Sequence, residues 1–150
     1  MTATNIHHIG VVVTDLDEMI VFLTEVLGFR LLIRRKFEWG ERAYVHLGDN
    51  QLFEMIAKTD AQPRSSVPAF GGENPDIVGV PHICFRVEDI SAMEEKIRAR
   101  SYPVHYSVAG EAGEHELGGP GRAIGFTGPG GVDFAVLEMV EHPFDELSLE

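Results

Sequence analysis

The sequence has few of the features that mark secreted, membrane or nucleic-acid-binding proteins. It contains a single cysteine, Cys84, so no disulfide can form within the chain. Its 12 basic residues are outnumbered by 24 acidic ones, and the formal net charge is −12, whereas phosphate binding needs clustered lysine and arginine. No apolar run approaches the roughly 20 residues that span a bilayer, and no basic stretch followed by an apolar one opens the chain. We therefore expect a cytoplasmic protein that binds neither nucleic acid nor membranes.

Two pairs of segments show that the second half of the chain repeats the first. The segment His8–Leu16, HIGVVVTDL, resembles His82–Ile90, HICFRVEDI, and the spacing between matched residues is constant at 74. Further along, Leu52–Ile56, LFEMI, resembles Val136–Val140, VLEMV, with a spacing of 84. The chain is therefore predicted to contain two copies of one structural module.

Each copy has the pattern of a strand, a helix and three further strands. In the first copy Thr14 is a candidate helix cap and Gly28 a candidate helix stop. The predicted strands lie near 5–13, 29–37, 42–48, 51–58, 80–88, 102–108, 122–127 and 132–140, and the predicted helices near 15–27 and 90–100.

This pattern predicts an α+β fold built of two paired βαβββ modules. One helix covers only one face of such a sheet, so two bare faces can pair to form an open cup-shaped mixed β-sheet. The expected divisions are a first module at 1–58, a linker or covering loop at 59–79, a second module at 80–141 and an acidic tail at 142–150.

Four residues at matched positions of the repeat are candidate metal ligands. Because alternate residues of a strand share a face, His8 and His82 each lie opposite an apolar stripe. The strands around Glu54 and Glu138 are otherwise apolar on both faces. A buried carboxylate needs a cation or hydrogen bonds, and two imidazoles with two carboxylates suit one divalent ion of Zn, Ni, Co, Mn or Fe(II). The nearby His7 competes with His8, but His8 aligns with His82.

The paired His-Ile-Gly/Cys-x-x-Val-x-Asp segments and the paired Glu-Met-Ile/Val strand ends resemble those of the vicinal oxygen chelate superfamily. The resemblance covers residues 5–141. It implies paired βαβββ modules around a metal, with ligands from the first and last strand of each module, which here are His8, Glu54, His82 and Glu138. In such proteins the modules pair within one chain or across a dimer interface, and a homodimer is expected.

An intact set of four ligands is similar to that of glyoxalase I and methylmalonyl-CoA epimerase. The resemblance implies an isomerase or lyase that acts on a small molecule with carbonyl or vicinal oxygens and stabilises an enolate or enediolate on the metal. Glu138 is the first candidate for the proton-transferring base and Glu54 its symmetry-related alternative. Glu38 or Glu41 is a candidate for a base that does not bind the metal.

Two other functions remain open at this point. An Fe(II)-dependent ring-cleaving dioxygenase would use His8, His82 and Glu138 and leave room for substrate and oxygen, but Glu54 would then have no role. A drug- or metabolite-binding protein would work without metal, although relatives of that kind lack the ligand residues.

Overall fold

Each half of the chain folds as the repeat predicts, with the same order of a strand, a helix and three further strands. The structure is a computed structural model that describes residues 6–61, 80–108 and 121–139. The chain divides into two units, residues 1–65 with 129–131 and residues 66–128 with 132–150. The expected tail at 142–150 and all but three residues of the expected linker at 59–79 lie outside the described residues.

The first unit is a four-stranded mixed sheet with one helical segment. Its elements are β1 (His8–Val13), α1 (Leu16–Val21), which continues as a π-helical turn (Phe22–Val26), β2 (Arg30–Phe37), β3 (Gly40–Gly48) and β4 (Gln51–Lys58). The strand order is β1-β4-β3-β2, with β1 and β4 parallel and the other pairs antiparallel.

The helical segment of the first unit begins and ends at residues whose chemistry fixes its limits. Asp15 is the N-cap, because its side chain accepts a hydrogen bond from the Glu18 backbone N–H at 2.9 Å. The prediction of Thr14 as the cap was therefore wrong by one residue. Gly28 follows the segment with a φ of +80°, a conformation that glycine adopts without strain, so the predicted stop is confirmed.

The helical segment packs on β3 and β4, and this side of the sheet is the helix face of the first unit. The opposite side is its open face. Buried apolar side chains join helix and sheet: Leu16, Met19, Phe22, Leu23, Val26, Ala43, Val45, Phe53 and Met55.

The second unit repeats this architecture. Its elements are β5 (Ile83–Arg86), α2 (Ile90–Ala99), β6 (Val104–Val108), β7 (Gly121–Thr127) and β8 (Asp133–Met139), in the strand order β5-β8-β7-β6. α2 packs on β7 and β8, which defines the helix face and the open face of this sheet. The α+β class and the βαβββ order of both modules are confirmed. In the described ranges no helix is long and apolar enough to cross a membrane.

Candidate functional site

The open face of the first unit places Glu54 at the centre of the sheet. In the strand register Glu54 on β4 lies between Gly10 on β1 and Tyr44 on β3. Partners in register share a face, so the three residues form one row across the open face. Phe53 and Met55, the sequence neighbours of Glu54, point the other way and are fully buried on the helix face.

The Glu54 carboxylate is nearly buried and uses its two oxygens differently. Its side chain is 11% exposed. Oε1 accepts a hydrogen bond from the Tyr44 hydroxyl at 2.6 Å and lies 3.2 Å from Arg42 Nε. Oε2 lies 3.7 Å from His8 Nε2. Donation to Glu54 raises the pKa of Tyr44, so this phenol remains a protonated donor at neutral pH.

His8 is the histidine of the His7–His8 pair that faces Glu54. It belongs to β1, and its Nδ1 lies 3.0 Å from Nδ1 of His7, with the two rings perpendicular. One ring must donate and the other accept in that contact. A neutral His8 that donates from Nδ1 leaves Nε2 unprotonated on the side of Glu54, which is the form that binds metal ions.

The space beside Glu54 Oε2 is left by the absence of a side chain at Gly10. A Cβ at Gly10 would lie 3.0 Å from Oε2. Two donors bound to one divalent ion at about 2.1 Å each are roughly 3.0–3.4 Å apart, close to the 3.7 Å between His8 Nε2 and Glu54 Oε2. His8 and Glu54 therefore fit two ligands of one divalent cation, with small side-chain movements.

The corresponding row of the second unit has different chemistry. Cys84 on β5 pairs with Ala135 on β8, which pairs with Gly125 on β7, which pairs with Tyr106 on β6. Cys84 is the repeat partner of Gly10, so Ala135 stands where the first unit has Glu54. Gly125 gives room to Tyr106, because a Cβ there would lie 2.1 Å from a ring carbon of Tyr106. The second row carries a phenol and a thiol but no carboxylate.

Glu138 lies on the helix face of the second unit. The strand register places it on the side of Phe134 and Val136, which are buried, and not on the side of Ala135. Its Oε2 accepts a hydrogen bond from the Ile90 backbone N–H at 2.7 Å, at the N-terminus of α2. Its neighbour in register, Arg122, donates to the Ser91 hydroxyl at 2.9 Å in the same turn. The Glu138 carboxylate is thus satisfied by the start of the helix.

His82 directly precedes β5, at the end of the strand where Asp133 begins β8. Burial lowers the pKa of His82, and the Asp133 carboxylate partly opposes this shift. Asp133 accepts a hydrogen bond from the Thr127 hydroxyl at 2.8 Å, and His105 Nε2 lies 2.6 Å from the same hydroxyl. Sequence reasoning did not include His105 or Asp133 in a site, because only the strand register brings them together.

Residues 6–61, 80–108 and 121–139 contain no group of three or more His, Cys, Asp or Glu side chains that could hold a metal ion. His8 and Glu54 lie together in the first unit, whereas Glu138 points away from the side of its sheet that carries Cys84 and Ala135. The four-ligand set stays a prediction from the sequence. The strand register of Glu138 is evidence against Glu138 as one of the ligands.

The two glutamates considered as non-ligand bases are in different surroundings. Glu41 lies on the helix face, where hydrogen bonding from Arg34 lowers the pKa of its carboxyl. Glu38, in the turn after β2, lines a cleft of about 850 Å³ together with Trp39 and Arg42. Of these two acids, only Glu38 lines that cleft.

Comparisons with solved structures show the fold, and a family model shows the family. A glyoxalase family protein from Bacillus cereus has 19% identity and a TM-score of 0.72, over 94% of this chain and 97% of that one. The trypanothione-dependent glyoxalase I of Leishmania major has 22% identity and a TM-score of 0.64, over 91% and 87%. An antibiotic-binding protein from Streptomyces sp. CB03234 has 18% identity and a TM-score of 0.61, over 93% and 98%. None of the curated proteins matches the sequence. The model of the glyoxalase/bleomycin resistance protein/dioxygenase superfamily matches residues 5–136, and the chain belongs to this superfamily.

Proposed function

We propose that the chain is a divalent-metal-dependent enzyme of the isomerase or lyase type, related in its chemistry to glyoxalase I. His8 Nε2 and Glu54 Oε2 of the first unit would hold the ion, and His82, which the sequence repeat also predicts as a ligand, belongs to the second unit. The observation that carries the proposal is the position of Glu54, whose Oε1 accepts a hydrogen bond from Tyr44 and forms an ion pair with Arg42, while Oε2 faces His8.

This arrangement is the one expected of a carboxylate that binds a metal. Ligating carboxylates are commonly oriented by hydrogen bonds to the oxygen that does not bind the ion. Among the described residues none donates a hydrogen bond to Oε2. The side chain is only 11% exposed, so little water can reach it. A nearly buried carboxylate oxygen without a donor costs free energy, and a cation beside His8 removes that cost.

The ion and the side chains have different roles in the proposed reaction. A bound divalent ion supplies Lewis acidity toward a carbonyl or hydroxyl oxygen of the substrate. Glu54, once released from the ion, would take up the proton on the neighbouring carbon and return it through Oε2, the oxygen that lies near His8. Tyr44 and Arg42 hold the carboxylate in place through Oε1. Glu54 replaces Glu138 as the first candidate for the base, because Glu138 is bound to the start of α2.

A second candidate function is metal-independent binding of a small molecule. Two observations favour it: Ala135 stands where a second carboxylate would complete the set, and Arg42 already offsets the charge of Glu54. The Streptomyces protein of the same fold is an antibiotic-binding protein. The dioxygenase alternative depends on Glu138 as its carboxylate ligand, and the place of Glu138 on the helix face speaks against it.

Metal titration of purified protein and matched variants separates these functions. We expect one divalent ion per chain, with at least about 10-fold weaker binding in Glu54→Gln and in His8→Asn. The controls are Glu41→Gln, which removes a carboxylate from the helix face, and His7→Asn, which removes the neighbouring imidazole. In both controls the metal affinity should stay closer to the wild-type value than in the test variants. Substoichiometric binding in the wild type, or unchanged affinity in Glu54→Gln, would contradict the proposal.

A further inference from the structure

The open face of the first unit carries two arginines side by side. Arg35 on β2 and Arg42 on β3 are partners in the strand register, so their side chains leave the sheet on the same face. Like charges placed directly opposite each other destabilise a sheet unless an anion lies between or beside them. In a chain with a net charge of −12, such a pair is an unexpected local concentration of positive charge.

The described acidic side chains offset only one of these two charges. Arg42 Nε lies 3.2 Å from Glu54 Oε1. No carboxylate in the described part of the chain lies within ion-pair distance of Arg35. The adjacent Arg34 shows the contrast, because it points to the helix face and binds both Glu41 and Asp17. One positive charge on the open face therefore has no acidic partner among the described residues.

Apolar surface surrounds the two arginines. Phe37 and Trp39 stack with ring centroids 4.9 Å apart and planes 7° apart, and Arg42 Cζ lies 5.8 Å and 5.3 Å from these two centroids. Phe37 is 43% exposed and Trp39 39% exposed, which is high for large aromatic side chains. A cleft of about 270 Å³ is lined by Ile33, Arg35, Phe37, Arg42 and Tyr44. We call it the arginine cleft.

We propose that the arginine cleft binds the carboxylate of a small organic acid whose flat apolar body rests on Phe37. Guanidinium groups bind carboxylates through paired, charge-assisted hydrogen bonds, and no carboxylate in the described ranges occupies the donors of Arg35. Tyr44 and Arg42 line the cleft and also contact Glu54, so a ligand held here lies next to the proposed metal ligand Glu54. Binding of a carboxylate in the arginine cleft does not depend on the proposed function. Only the further step, that this ligand is the substrate and that the substrate is therefore a carboxylic acid, rests on it.

The test uses the single tryptophan of the chain, Trp39, as a fluorescent reporter. Phenylglyoxylate, which has a ring, a keto oxygen and a carboxylate, is titrated against its neutral methyl ester as the matched ligand control. Arg35→Gln is compared with Lys36→Gln, which removes a positive charge from the next residue on the other face. The protein is first stripped of metal and freed of chelator, so that the ligand is bound by the side chains alone.

We expect phenylglyoxylate to quench Trp39 saturably, with a Kd about 10-fold or more higher in Arg35→Gln, as loss of a charge-assisted hydrogen bond produces. Lys36→Gln should bind phenylglyoxylate like the wild type, and the ester should bind weakly to all three proteins. Equal Kd values in Arg35→Gln and wild type, equal binding of ester and acid, or no saturable quenching would overturn the inference. Because no metal is present, failure of the proposed metal site leaves this result unchanged, and the metal titration reports on that site separately.

Discussion

Replacing Glu138 by glutamine tests whether this carboxylate stabilises a helix and does not bind a metal. Its Oε2 accepts the Ile90 N–H at 2.7 Å at the first turn of α2. A hydrogen bond to a charged group contributes about 1.5–3 kcal/mol and a neutral one about 0.5–1.5 kcal/mol. Glutamine keeps an acceptor oxygen and loses the negative charge, which is itself worth about 0.3–1 kcal/mol at a helix N-terminus. We expect the variant to lose about 1–2 kcal/mol of unfolding free energy.

Urea denaturation and thermal melting measure this loss, which corresponds to about 2–8 °C in Tm for a chain of this size. Glu95→Gln is the control, because it removes an exposed carboxylate from the same helix. That change should stay within about 0.5 kcal/mol. The divalent-metal affinity of Glu138→Gln should match that of the wild type. Unchanged stability combined with a large loss of metal affinity would refute the reasoning, because Glu138 would then have to lie on the open face.

Three further predictions concern the open faces. Gly10→Ala should weaken metal binding about 10-fold while leaving the circular dichroism spectrum unchanged, because its Cβ would lie 3.0 Å from Glu54 Oε2. Tyr44→Phe should weaken metal binding about 10- to 100-fold by releasing Glu54 Oε1, as a calorimetric titration against the wild type would show. Burial lowers the pKa of His82 in the folded protein, so below the ordinary value of about 6.5 the unfolded chain binds more protons. Unfolding free energy should therefore fall as the pH drops below about 6.5, and His82→Gln should flatten that decline in urea titrations at several pH values.

The secondary structure was largely predictable from the sequence because its signals are local. Helical spacing of apolar residues and a glycine at 28 define the first helix, whose cap lies one residue after the predicted Thr14. Gly48 with Asp49 and Asn50 defines the turn before β4. Asp49 and Asn50 have φ values of 43° and 62°, a conformation that these residue types tolerate well. The errors are small and occur at element ends, as with β5, which begins at Ile83 and not near residue 80.

The candidate site was less predictable, because it depends on which strands are neighbours. The partners of Glu54 are Tyr44 and Arg42 on the adjacent strand, ten and twelve positions earlier in the sequence. Alternation along β3 shows that Tyr44 and Arg42 share a face, but only the antiparallel register of β3 and β4 shows that this face is the one with Glu54. The same register brings Arg35 beside Arg42.

The position of Glu138 shows why matching letters between repeats is not enough to assign a face. Matching Glu54 to Glu138 implies a spacing of 84 residues, whereas the strand register matches Glu54 to Ala135, a spacing of 81. The difference is three, an odd number, and side chains of a strand alternate with a period of two, so the match exchanges the two faces. Both faces of β8 near Glu138 are apolar in sequence, so the alternation of polar and apolar residues did not show which face Glu138 occupies. A buried carboxylate therefore indicated correctly that a partner was needed, and in the second unit that partner is the backbone N–H of a helix N-terminus.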